Sequence, residues 1–214
     1  VGAQRLIIVA VDDLTDGLKY VNLARCQIAD YWDYRDFMVA VKERAAWLDE
    51  VEVVFHQGAC STTTERDGRY MMQTNYDYSK ALLHFCLART VPFIYASSAA
   101  VYGKDTDFDD AATVQLPLNV YGYSKWLFDQ YVLAKLPEAR SQVAGLRYFN
   151  VYGPHEQHKG GMASVAFHLM NQLSQDGRMR LFAGSHGYAD GEQERDFVYV
   201  KDVVKVNLWL WQQA

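Results

Sequence analysis

Cysteine is scarce: the chain of 214 residues has three, Cys26, Cys60 and Cys86. An odd number without metal-ligand spacing fits reduced, buried thiols better than disulfides. His155 and His158 stand three apart near His168, but no carboxylate or thiolate companions lie at ligand spacing, so no metal is expected. A basic excess is also missing, with 21 Lys and Arg against 26 Asp and Glu and a net charge of −5. No stretch pairs a basic face with interleaved aromatics, which sets nucleic acid aside as a partner. The longest apolar runs are strand-sized and fall short of the ~20 residues that span a bilayer. No basic-then-apolar leader follows Val1, so a cytoplasmic setting without a membrane segment is expected. What the chain does have is apolar mass: 50% of its residues are hydrophobic, enough for an ordered core with at most a small second lobe.

That apolar mass is distributed in an alternating pattern. The runs 6–11 (LIIVAV), 51–56 (VEVVFH), 91–98 (VPFIYASS) and 143–149 (VAGLRYF) are continuous rather than alternating, as parallel strands buried on both faces are. Helical periodicity lies between them near 36–48, 68–89 and 121–136. Beyond residue 150 come a Gly/His loop (GPHEQHKGG), a helix near 161–174, the short run MRLFA, a polar insertion, the strand-like RDFVYV and a final helix. A βαβ series of this kind predicts an α/β fold: a doubly wound, Rossmann-type parallel sheet with right-handed crossovers. Residues 1–150 read as the nucleotide-cofactor core, and residues 151–214 as a partial substrate-binding region carrying returning sheet elements.

Tyr121 and Lys125 occupy one helix face at a spacing of four in NVYGYSK. At about 6 Å and an effective dielectric of about 20, Coulomb's law gives roughly 3 kcal/mol, enough to draw the phenol from about 10 toward about 8. A tyrosine so placed can exchange a proton with a hydroxyl near neutral pH, although burial opposes the shift. The spacing recurs at Tyr76/Lys80 and Tyr131/Lys135, where ring packing and a solvated lysine explain it. Tyr121 differs in context, because Pro117 and Asn119 mark a helix entrance and the apolar run just upstream ends in Ser97 and Ser98. Ligands in open α/β sheets sit beyond the carboxyl ends of strands. Ser98 would be delivered there, to hydrogen-bond the same substrate oxygen as Tyr121; taken alone, both serines also fit simple strand-end capping.

A dinucleotide fold carries a glycine fingerprint after its first strand and an acidic residue about 20 residues later, closing the second. Asp12 closes LIIVAVD, and counting back from it runs past Val1. A first strand, phosphate-binding turn and most of a first helix are thus expected ahead of Val1. An Asp opening a turn with Asp13 and Gly17 is the alternative for Asp12.

The motifs HQGACS, NYDYSKALL, ASSAAVYG, NVYGYSK, RYFNVYGP and RDFVYVKDV resemble the extended short-chain dehydrogenase/reductases. HQGACSTTTERDGRYMM and HKGGMASVAFHL resemble more narrowly the branch that epimerises ADP-activated heptoses for bacterial lipopolysaccharide. The likeness covers essentially the whole chain and also implies further elements beyond residue 214. It implies a bound NADP, with NAD possible, that oxidises C6 of an ADP-heptose to a transient ketone and re-reduces it from the other face. Ser98, Tyr121 and Lys125 match the catalytic residues, and Lys159 a second acid/base. Cofactor contacts are implied for Asp12, Asp13, Lys19, Gln57, Gly58, Ala59, Cys60, Ser61, Asn75, Lys125 and Val151. Substrate contacts are implied for Ser98, Asn150, Lys159, Gly161, His168, Phe182, Ala183, Gly184, Ser185 and Arg195, the last as a bidentate partner of the diphosphate. A homo-oligomer, a pentamer, is also implied. Two departures stand out: Asp13 replaces a more usual Asn, setting a carboxylate against a 2′-phosphate that Lys19 would offset, and the insertion before Arg195 is long.

Overall fold

The structure, a computed structural model, describes residues 7–104, 108, 115–185 and 187–214. Its strands and helices alternate: β1 (Val9–Asp12), α1 (Tyr20–Leu23), β2 (Asp30–Asp33), α2 (Tyr34–Glu43), β3 (Val54–His56), α3 (Gly68–Met71), α4 (Tyr78–Arg89) and β4 (Phe93–Ser98). There follow α5 (Val120–Lys135), β5 (Val143–Tyr148), β6 (Asn150–Tyr152), α6 (Val165–Asp176), β7 (Phe197–Tyr199) and α7 (Val200–Gln212). Every strand pairing is parallel, in three groups among the described residues: β1 with β2, β3 with β4 and β5, and β6 with β7.

Strand alternation puts helices on both faces of the central group. In β3, His56 faces α4, meeting Tyr78 and bonding Ser79 there while its ring stacks on Phe93 of the neighbouring β4, and Phe55 turns the other way and meets Trp211 of α7 edge-on. Successive strand side chains point to opposite faces, so α4 and α7 lie on opposite sides of the sheet, as the doubly wound reading requires. The main core joins Phe37, Met38 and Val41 of α2, Leu82, Leu83, Phe85 and Cys86 of α4, Phe93 and Tyr95 of β4, and Phe128 and Val132 of α5. Each such side chain contributes about 1.5–3 kcal/mol by leaving water. On the far face α7 is held by Gln142 Nε2 donating to Leu210 O at 2.9 Å.

Three elements differ from the sequence expectation. Strand β2 was not expected in DYWD, because acidic residues bracket its two aromatics and none of its residues is buried. Strand β6 begins only two residues after β5 ends, so the pair reads in sequence as one run. The expected continuous helix over 68–89 is interrupted by a π-helical stretch, Met72–Asp77, which rotates Asn75 into the interior.

Candidate active site

The amino end of α5 meets the carboxyl end of β4. Asn119 caps α5, its Oδ1 accepting from the Gly122 amide at 2.8 Å, which satisfies one of the orphan donors of a helix start. Gly122 is required by close approach: a Cβ there would lie 2.7 Å from the Ala100 carbonyl oxygen. This lack of a side chain lets the first turn of α5 lie against the 99–101 turn that follows Ser98. The Tyr121 phenol faces the Ser98 hydroxyl, which favours its charged form, and Ser98 Oγ accepts from the Ala100 amide at 3.2 Å. One turn further along α5, Lys125 is buried and donates from Nζ to the Ala96 carbonyl at 2.8 Å.

The electrostatics correct the expected effect on Tyr121. Burial pushes its phenol above the ordinary tyrosine range, outweighing the Ser98 hydrogen bond that favours the phenolate. Lys125 does not rescue it, since burial draws Lys125 itself down to about 8 despite the Asp129 carboxylate. Desolvation of each charged form wins over the pairwise attraction worked out for half-exposed groups. The other Tyr/Lys pairs are packing pairs: Lys80 lies 4.2 Å over the Tyr76 ring and pairs with Asp77, Tyr131 bonds His84, and Lys135 pairs with Glu138.

The cofactor-side residues divide. Asp12 stands at the carboxyl end of β1, where Lys19 Nζ reaches its Oδ1 at 2.8 Å and the Asp13 carbonyl at 2.6 Å. Among the described residues Asp12 Oδ2 accepts no hydrogen bond, which leaves an acceptor of the kind a ribose hydroxyl needs. The Asp13 carboxylate turns back onto the Thr15 hydroxyl and amide, which lower its pKa. Gly58 has open space where a Cβ would be, and Ala59 and Ser61 flank Cys60 on the same loop, whose backbone can approach a ligand. This donor and acceptor set fits a nicotinamide dinucleotide.

Two residues expected at the cofactor also make internal bonds. Gln57 Nε2 donates to Asn207 Oδ1 at 3.1 Å, and Asn207 in turn donates to the Tyr148 hydroxyl at 2.7 Å, fastening α7 to the sheet. Asn75 Oδ1 accepts from the Cys60 amide at 2.8 Å, and its Nδ2 donates to the Cys60 carbonyl and Ser124 Oγ at 2.9 and 3.2 Å. Because Ser124 bonds the Tyr121 carbonyl at 2.7 Å, Asn75 ties the Cys60 loop to the reactive turn of α5. It acts here as a strut.

Lys159 lies beside a cavity of about 230 Å³ lined by Asn150, Val151, Glu156, Met162, Ser164 and Phe197, among others. Neither Ser98, Tyr121 nor Lys125 lines it, although Asn150 follows Tyr148, the β5 partner of Ser98, by two residues. Glu156, which sequence reasoning missed, is buried and accepts from the Gly153 amide at 3.1 Å and from the Ser164 amide and hydroxyl at 2.7 and 2.8 Å. Burial works to raise its pKa, but these bonds and Lys159, 3.7 Å away, hold it below the usual carboxylate range. Gly161 is exposed in the same turn, and His168, on α6, is half-buried against Phe167. Phe182, Ala183, Gly184 and Ser185 form an exposed loop closed on itself through Gly191, Gln193, Asp190 and Tyr188. Arg195 is exposed, its guanidinium bonding the Glu194 carbonyl. None of these last residues is brought to Tyr121 by a hydrogen bond in the structure.

Residues 8–214 match the NAD dependent epimerase/dehydratase family. The chain belongs to that family. An ADP-L-glycero-D-manno-heptose-6-epimerase of Alkalilimnicola ehrlichii is 59% identical over 206 residues, covering 96% of this chain and 64% of that protein. The Helicobacter pylori ADP-L-glycero-D-manno-heptose-6-epimerase structure has a TM-score of 0.75 at 33% identity, covering 90% of this chain and 58% of that one. A Thermotoga maritima UDP-glucose 4-epimerase gives 0.76 at 28% identity, covering 94% and 64%. The chain thus spans a little under two thirds of the length of these relatives. Among its described residues no helix is long and apolar enough to cross a membrane, and no three His, Cys, Asp or Glu side chains gather as metal ligands.

Proposed function

We propose that the natural protein epimerises an ADP-glycero-manno-heptose at C6, in bacterial lipopolysaccharide heptose synthesis, by oxidation to a ketone and re-reduction. The observation that carries the chemistry is the half-buried Tyr121 facing the buried Ser98 hydroxyl, with the buried Lys125 ammonium one helical turn away. Identity of 59% to a heptose epimerase supports the substrate class.

In this reading Tyr121 exchanges a proton with the C6 oxygen and Ser98 hydrogen-bonds the same oxygen. Lys125 supplies positive charge from beneath and holds the ribose side of the cofactor. The bound nicotinamide supplies the hydride acceptor and donor. Lys159, held by Glu156 beside the cavity, serves the opposite face, since an inverted hydroxyl needs proton transfer on each side. Asn150, Gly161, His168, the 182–185 loop and Arg195 are the substrate-side residues, and residue 150 divides cofactor core from substrate region.

NADP is the proposed cofactor, with Asp12 and Lys19 at the ribose and Gly58, Ala59, Cys60, Ser61 and Val151 along the dinucleotide. The carboxylate of Asp13, taken up by Thr15, opposes a 2′-phosphate less than an unpaired one would. Competition binding checks this, and a strong preference for NAD would reverse it. A homo-oligomer in the cytoplasm completes the reading.

The test is a substrate panel on the natural full-length protein. Interconversion of the two ADP-heptose epimers, without turnover of UDP-hexoses, is expected. Turnover of UDP-glucose alone would indicate a 4-epimerase of the same family, and tight cofactor binding with no turnover of either would indicate a non-catalytic binding protein.

A further inference from the structure

Tyr121, Lys125 and Asp129 follow one another at intervals of four along α5, and each meets β4. Tyr121 meets Ser98, Lys125 Nζ meets the Ala96 carbonyl at 2.8 Å, and Asp129 meets the residues on either side of Ala96. Its Oδ2 accepts from Ser97 Oγ at 2.8 Å and its Oδ1 from the Tyr95 hydroxyl at 2.9 Å. Arg147 of β5 adds a third donor, its Nε 3.2 Å from Oδ2. A side chain at Gly145 would lie 2.4 Å from the Tyr95 ring and hydroxyl, so the absence of a Cβ there lets Tyr95 lie across β5 toward the carboxylate. Asp129 is 6% exposed and Lys125 4%. Charges so buried persist only when paired and fully hydrogen-bonded.

The geometry points to Asp129 as a positioning residue for the reaction centre: its carboxylate fastens β4 on both sides of Ala96, so that the Ala96 carbonyl holds the Lys125 ammonium one turn below Tyr121. The inference rests on the reading of Ser98, Tyr121 and Lys125 as that centre. The groups facing the Lys125–Asp129 couple are His56 from β3, Tyr95 and Ser97 from β4, Arg147 from β5 and Tyr121 from α5 itself. Of these only Arg147 carries charge at neutral pH, and it is a second cation. Burial pushes the Asp129 carboxyl up while its three donors hold it down, and Asp129, ion-paired with Arg147, is the one carboxylate whose attraction opposes the burial that lowers Lys125. A carboxylate that only braced the fold would not govern the ionisation of Lys125.

The experiment uses the natural full-length protein with Asp129→Asn, reading the titration of the Lys125 side chain by heteronuclear NMR on labelled lysine and the pH profile of kcat/KM. The Lys125 midpoint, which burial already draws below the ordinary lysine range, is expected to fall by about a further 1 unit on loss of a close opposite charge. The limb of the pH profile that it governs should move with it, and Asp129→Glu should restore both. An unmoved midpoint and profile in a folded Asp129→Asn protein would overturn the inference. Should that variant fail to fold, Ser97→Ala removes one clamp and keeps the charge. It is expected to lower kcat at least threefold with KM unchanged, and parent-like kcat would overturn the clamp. Lys125→Met separates the two readings: if it retains turnover the reaction centre itself is misassigned, and if it abolishes turnover while Asp129→Asn titrates like the parent, only the role of Asp129 fails.

Discussion

Gly122→Ala sets two effects of opposite sign against each other. Alanine is the better helix residue by up to about 1 kcal/mol, and a change judged on propensity alone would stabilise α5. The added Cβ, however, would lie 2.7 Å from the Ala100 carbonyl oxygen and 3.2 Å from Pro117 Cβ. The first neighbour is backbone in the turn behind Ser98, which cannot rotate away as a flexible side chain would. Overpacking of this kind costs about 1–3 kcal/mol, so the net change is destabilising by up to about 2 kcal/mol. In a domain of this size that lowers Tm by up to roughly 4–8 °C. Function should suffer more than stability, because relief of the contact moves the first turn of α5, and Tyr121 with it, away from Ser98. A misplacement near 1 Å can cost on the order of 10²-fold in rate. Thermal unfolding and kcat/KM on the same preparation check both parts. A variant that melts at or above the parent temperature with parent kcat/KM would refute the argument that close packing at Gly122 sets the site.

Two other outcomes follow from single residues. His56 is wholly buried, and desolvation draws it from 6.5 down to about 3, so between these values the unfolded chain binds the extra proton and stability falls as pH falls. From pH 7 to pH 5 this amounts to about 2 kcal/mol, and denaturant titrations should show that much less loss in His56→Leu; equal acid sensitivity would contradict the assignment. Lys159→Met should abolish interconversion of the heptose epimers while the Tyr121 face still exchanges hydride with an aldehyde analogue. Equal loss in both assays would make Lys159 a binding or folding residue, and unchanged epimerisation would make it a loop residue.

Sequence reasoning located the reactive turn because its signals are local. Pro117 and Asn119 mark the helix entrance, the four-residue spacing sets Tyr121 over Lys125, and the apolar run into Ser97 and Ser98 marks the strand end. The order of β3, β4 and β5 was legible for the same reason, since strands buried on both faces are written as continuous apolar runs. The charge state of Tyr121 was not, because burial of both members of the pair is a tertiary property that spacing does not encode. The internal partners of Gln57 and Asn75 were not legible for a related reason: Asn207 lies 150 residues from Gln57 and Ser124 lies 49 from Asn75, and neither partner is visible from the motif. Asp129 left a usable trace, a carboxylate between Phe128 and Val132 on the buried face of α5, four residues beyond Lys125. Glu156 left less, being one acid in a polar loop until the backbone folds Gly153 and Ser164 around it.

The account stands most directly on Tyr121. Tyr121→Phe in the natural full-length protein removes one oxygen and leaves the ring in its packed place. Epimerisation of ADP-heptose, followed by NMR of the anomeric and C6 protons, should fall by about 10²–10⁴-fold, with cofactor affinity and Tm near those of the parent. Turnover within a few fold of the parent would contradict the assignment of the Tyr121–Ser98 pair as the reaction centre.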